Sequence, residues 1–112
     1  MPVIALADIF GIDGRREELL ALFRETEASA RLVPGVRRYV FAVSPSDRDR
    51  YLLVSEWETQ AAMDAFHRSD AFARYQFEVG ELLARPSEMS VFTVTEAVKP
   101  VAGGLLDPRR AD

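Results

Sequence analysis

The stretch Tyr51-Leu-Leu-Val-Ser-Glu-Trp57-Glu-Thr59-Gln-Ala-Ala-Met-Asp-Ala-Phe66-His67-Arg-Ser69-Asp-Ala-Phe72 decides how this chain folds. It opens on an apolar run too short for a helix, which reads as a buried strand ending on the only tryptophan. Thr59 is a natural N-cap, and the helix it starts carries Ala62, Met63 and Phe66 at helical spacing. Ser69 caps a further turn or a new helix, with Phe72, Tyr75, Val79 and Leu82 on one stripe. The indole of Trp57 therefore stands at a strand-to-helix junction, where open sheets commonly build ligand pockets.

Upstream, Val3–Phe10 is an apolar run interrupted only by Asp8, and it reads as a first strand. Asp13 is placed to cap a helix beginning at Gly14-Arg15, whose inner side carries Leu19, Leu20, Phe23 and Ala30. Pro34-Gly35 ends it, because proline disfavours helix at the preceding residue and glycine permits the reversal. Val36–Ser44 and Tyr51–Trp57 are then two strands joined by a short polar connection, an antiparallel hairpin. Downstream, Pro86 stops the last helix, and Met89–Glu96 is a fourth strand rich in β-branched residues. The order β-α-β-β-α-β predicts an α+β, ferredoxin-like domain with a four-stranded antiparallel sheet over residues 1–98. Residues 99–112, with Pro100, Gly103-Gly104 and Pro108, read as a loose tail.

The strands carry a quaternary expectation. A sheet with one wet face alternates apolar and polar residues, yet Val3, Ile4, Ala5, Leu6 and Ala7 are apolar on both parities, as are Tyr51, Leu52, Leu53 and Val54. The helices cover one face only. A second copy of the same sheet would cover the other, so the chain is expected to be a homodimer packed through its sheet faces.

Composition narrows the chemistry. A net charge of −4 argues against a nucleic-acid surface. No apolar stretch is long enough for a membrane span, and the first residues do not resemble a signal peptide, so the expectation is a cytoplasmic protein. Zero cysteines exclude thiol nucleophiles, disulfides and thiolate metal sites, and a single histidine cannot build a histidine-based metal site alone. There is no P-loop, nucleotide-binding glycine fingerprint or nucleophile elbow. No metal or other cofactor is expected.

What remains is a pocket between sheet and helices, with Asp8, Tyr39, Trp57, Phe66, His67, Phe72 and Tyr75 as candidates to line it. Asp8 interrupts a strand that looks buried and would serve as a general base if enclosed, or as a wet strand-end acid if not. His67, beside Arg68 and Asp70, reads as a surface imidazole or as the base. Trp57 serves equally as a pocket wall or as a packing plug.

The Pro34-Gly35 pair, the run Glu56-Trp57-Glu-Thr59-x-x-Ala62 leading into a helix, and Phe66-His-Arg-Ser69-Asp-Ala-Phe72 together resemble the antibiotic biosynthesis monooxygenase superfamily over about residues 3 to 97. The resemblance implies a dimeric α/β barrel. It implies, as function, a cofactor-independent monooxygenase that oxidises a quinol or polyphenolic, polyketide-type aromatic with O2. The alternatives are a non-enzymatic dimer that binds a small aromatic ligand and a haem-binding or haem-degrading member. In the first case Asp8 or His67 would be the base, and Trp57, Tyr39, Phe66, Phe72 and Tyr75 the substrate wall. Anthrone-oxygenase-like members are expected to carry an asparagine four residues before the tryptophan and a tyrosine six after it, where this chain has Leu53 and Met63. At the positions of the haem-degrading set stand Ala7 and Gln76. An open chamber beside the indole would support the oxygenase. A chamber plugged solid by side chains, with the indole locked in packing, would leave a shared shape without shared chemistry.

Overall fold

A computed structural model describes residues 1–95. The elements run β1 Val3–Gly11, α1 Arg16–Ala30, β2 Val36–Val43, β3 Arg50–Trp57, α2 Gln60–His67, α3 Asp70–Gly80 and β4 Leu83–Thr93. The strands form one antiparallel sheet in the order β2-β3-β1-β4, the ferredoxin-like arrangement with three helices. The tail 99–112 and the end of the expected fourth strand at Glu96 lie outside the described residues.

Strand parity sorts the side chains. Val3, Ala5, Ala7 and Ile9 of β1 and Tyr51, Leu53, Ser55 and Trp57 of β3 are buried beneath the helices. Residues paired across the sheet share a face, so this inner surface is built of rungs. One rung is Phe41–Leu53–Ala7–Met89, and the next is Tyr39–Ser55–Ala5–Val91. Ile4, Leu6, Leu52, Val54, Val40 and Phe92 occupy the opposite surface, which none of the described helices covers. Phe92 there is 54% exposed. Charged residues fringe that apolar centre: Asp8 with Arg50 at 2.9 Å, Arg37 with Glu56 at 3.6 Å, and the Arg85 guanidinium 3.7 Å above the Phe10 ring.

Local chemistry fixes the joints. The Thr59 hydroxyl accepts from the Ala62 amide at 3.1 Å, and that of Ser69 accepts from the Phe72 amide at 3.3 Å, so both serve as N-caps. Gly35 has φ +88°, a left-handed conformation that suits glycine. A Cβ there would stand 2.6 Å from that of Ala62, so the turn before β2 and the start of α2 meet only because the side chain is a hydrogen. The Gly35 carbonyl also accepts from the Glu58 amide at 2.7 Å.

Three expectations are corrected. Asp13 does not cap α1: Gly14 at φ +85° turns the chain once more, and the helix starts at Arg16 after Arg15, with no side-chain cap. Pro86 does not end α3, which stops at Gly80. It sits inside β4, which begins at Leu83 instead of Met89. An edge strand tolerates proline where it bulges, and the pairing with β1 slips between Asp8–Glu88 and Phe10–Arg85. At the other edge the Phe41 amide of β2 donates to Glu27 Oε2 of α1 at 2.8 Å.

Candidate functional site

Aromatic rings fill the space between α2, α3 and the sheet. Trp57 is fully buried, its ring stacked on Phe66 at 5.4 Å and its Nε1–H donating to Ser55 Oγ at 3.1 Å. Tyr39 meets Phe66 edge-on at 5.5 Å and Trp57 at 6.3 Å. Phe72 abuts Phe66 at 5.4 Å and Tyr75 at 5.9 Å. Such offset and T-shaped contacts are the preferred arrangements of aromatic quadrupoles, so the cluster is a well-packed core. The indole is a packing element here.

Beside this cluster a cleft of about 300 Å³ opens between α3 and the inner face of β1, β3 and β4. Its floor is Ala7, Ile9 and Leu53, its α3 wall is Phe72, Tyr75, Gln76 and Val79, and its outer rim is Leu83, Pro86, Ser87 and Met89. Small residues of β1 leave the space, and the proline bulge of β4 shapes the rim. The volume is at the lower end of small-molecule sites, and the lining is apolar with a few polar groups (Tyr75, Gln76 and Ser87). Burial raises the Tyr75 hydroxyl well above the ordinary tyrosine range, so it is a neutral hydrogen-bonding group at any physiological pH.

The candidate residues therefore divide. Phe72 and Tyr75 line the cleft. Trp57, Tyr39 and Phe66 lie behind that wall, each 2% exposed or less. His67 stacks its ring 4.6 Å from Phe72 and is half-buried; burial lowers its pKa, opposed by the nearby Asp64 carboxylate. Asp8 is not brought together with them. Its parity puts it on the uncovered face with Ile4 and Leu6, where it pairs with Arg50 instead of standing enclosed. Sequence reading missed Gln76, Ser87 and Met89 as wall residues, because the approach of α3 to β4 is a tertiary event with no local signal. Among the described residues, no group of three or more histidine or acidic side chains is placed to hold a metal ion, and no helix is long and apolar enough to cross a membrane.

A sheet backed by helices, with an apolar cleft at its edge, defines a small ferredoxin-like α+β domain. Comparison with known proteins gives the family. The family model for antibiotic biosynthesis monooxygenase matches residues 2–77, from β1 into α3, and this chain belongs to that family. Proteins of this family are typically dimeric and bind small molecules. The chain is similar to the solved structure of Rv0793 from Mycobacterium tuberculosis, at 26% identity and a TM-score of 0.80, over 88% of this chain and 100% of that one. A Nitrosomonas europaea protein named for the same family shares the fold at a TM-score of 0.80 and 15% identity, over 84% of this chain and 90% of its own. An uncharacterised Synechocystis protein is 24% identical over 95 residues, 85% of this chain. The chain spans 65% of that relative's length.

Proposed function

We propose that this protein is a homodimer that takes a flat aromatic molecule into the α3 cleft and oxidises it with O2, the substrate being a quinol or polyphenolic compound. The observation that carries this reading is the cleft itself: apolar, about 300 Å³, and furnished with only neutral hydrogen-bonding groups. The dimer is supported by the apolar sheet face that none of the described helices covers and that a second copy would bury.

Triplet oxygen reacts slowly with closed-shell molecules, but an electron-rich phenolate can transfer one electron to it directly. The protein then has to favour loss of a proton, hold the ring and exclude water. For a quinol the stoichiometry closes without a further reductant: one oxygen atom of O2 enters the ring, and the other leaves as water with two hydrogens of the substrate. His67 is the proposed proton acceptor, since burial favours its neutral form and it stands one ring behind the cleft wall at Phe72. Phe72 and Tyr75 would hold the substrate ring.

One observation favours a second reading, a binding protein without turnover. Among the described residues, none that lines the cleft is Asp, Glu, His, Lys or Arg, so no described side-chain base faces the space directly. Oxygen uptake with a panel of hydroquinones and anthrones, without added metal, separates the two. Uptake that is lost in Phe72→Ala and reduced in His67→Gln supports the oxygenase. Ligand binding with no uptake across the panel establishes the binder instead.

A further inference from the structure

The edge of the sheet at β2 carries positive charge that the α3 cleft does not use. β2 and β4 are the two outer strands, so this edge stands across the sheet from Met89 and the cleft rim. A notch of about 280 Å³ lies there, lined by Arg31, Val36, Arg37, Arg38, Tyr39 and Val40. Every charged residue of that lining is an arginine, in a chain whose net charge is −4.

The fold brings these arginines together. Arg31 is the C-cap of α1, the end of a helix dipole that favours a cation. The same helix is tied to the strand by Glu27, whose carboxylate accepts from the Phe41 amide at 2.8 Å. In β2 the pairing slips between Val36–Trp57 and Arg38–Glu56, so Arg37 and Arg38 both stand against the single Glu56. Such bulges re-aim side chains at sheet edges and are over-represented beside functional sites. The neighbouring acids answer the arginines only in part. Arg31 reaches Glu27 at 3.8 Å and Arg37 reaches Glu56 at 3.6 Å, both beyond hydrogen-bond distance. Arg38 forms no ion pair among the described residues. The Arg31 and Arg37 side chains are 56% and 47% exposed, so their donors are open to a ligand.

The chemistry of the lining selects that ligand. A guanidinium is a planar fork of N–H donors that meets phosphate or carboxylate oxygens two at a time. Three of them around one notch repel one another, and a dianion relieves that repulsion better than a monoanion. Val36 and Val40 add an apolar side against which an organic group can lie. We propose that this notch binds a phosphate monoester, its phosphate held by Arg31, Arg37 and Arg38 and its organic group resting on Val36 and Val40. The site is separate from the α3 cleft and stands whether or not that cleft takes an aromatic. A soluble ester and the headgroup of phosphatidic acid present the same chemistry.

The test titrates the full chain with phenyl phosphate, inorganic phosphate and benzoate at low salt and about pH 7, where a monoester is mostly dianionic, and follows backbone amide signals by heteronuclear NMR. Phenyl phosphate is expected to saturate at millimolar concentration and to shift the signals of Arg31 and of residues 36–40. Inorganic phosphate should bind more weakly for want of the apolar contact, and benzoate about tenfold more weakly for want of the second charge. Arg31→Gln and Arg38→Gln should each weaken phenyl phosphate about tenfold, with Arg38→Lys recovering part of the loss. Arg74→Gln, which removes the same charge from α3, should leave the affinity unchanged. Flotation with phosphatidylcholine vesicles, with and without phosphatidic acid, distinguishes the sources. Uptake that needs both phosphatidic acid and Arg38 assigns the site to a lipid headgroup, and phenyl phosphate binding without such uptake assigns it to a soluble ester. Shifts that never saturate, that scatter over the surface, or that persist in Arg31→Gln and Arg38→Gln overturn the site. Benzoate binding as tightly as phenyl phosphate overturns its choice of a dianion.

Discussion

Replacing Gly35 by alanine probes the joint on which the Trp57 cluster and α2 both depend. Two separable costs follow from the structure. At φ +88° an L-residue occupies the left-handed region, a penalty of about 1–2 kcal/mol. The added methyl would then lie 2.6 Å from the Ala62 Cβ, which is fixed to the backbone of α2 and cannot swing aside. Moving the helix start disturbs the contacts of Met63 and Phe66 and adds about 1–3 kcal/mol, the usual cost of overpacking. The expected loss is therefore about 2–5 kcal/mol, a large part of a small domain's stability. Gly14→Ala isolates the first cost, since Gly14 has φ +85° and a methyl there would meet nothing within 4 Å. Gly80→Ala, on α3 with open space around it, should be neutral or stabilising by about 0.4–1 kcal/mol. Urea unfolding at one protein concentration measures all three, and Gly35→Ala combined with Ala62→Gly should recover part of the clash. A Gly35→Ala variant no less stable than Gly14→Ala would refute the close approach of α2 to the turn.

Other expectations can be checked alongside. Trp57→Phe should destabilise by about 2 kcal/mol, through lost ring volume and an indole hydrogen bond to Ser55 that is no longer made, while leaving naphthalene affinity within twofold, measured by unfolding and binding on the same sample. Leu6→Asp with Val54→Asp puts two carboxylates into the centre of the uncovered face and should reduce the particle to one chain in sedimentation equilibrium; a persisting dimer would place the interface elsewhere. Stability should fall as pH drops below about 6.5, because the unfolded chain binds a proton on His67 more readily than the folded one; the loss continues down through the lowered folded pKa, and His67→Gln should remove that component of the pH profile.

The fold was legible where its determinants are local. Thr59 and Ser69 announce their helices because a cap needs only its own next three residues, and Pro34-Gly35 marks a turn that glycine alone tolerates. Asp13 misled because an extra left-handed residue at Gly14 leaves the same composition while moving the helix start. Pro86 misled because a stop for a helix and a bulge in an edge strand look alike until the neighbouring strand is known. The site was less legible for a related reason. With both parities of β1 apolar, nothing in the chain says whether Asp8 or Ala7 faces the helices, and only the pairing of β1 with β3 and the seating of α3 decide it. Phe72 and Tyr75 could be read from their helical stripe, whereas Ser87 and Met89 join the wall from a strand whose start was misplaced.

Both rims of the sheet are blunted. Glu27 occupies the Phe41 amide on one outer strand, and Pro86 bulges the other, two of the devices by which sheets discourage pairing at an edge. Lateral ribbon growth is thereby discouraged, while none of the described helices covers the greasy back of the sheet. In the dimer proposed above, a second copy would stack back to back and not add at a rim, so the guard against fibres and the route to a partner would lie in the same sheet.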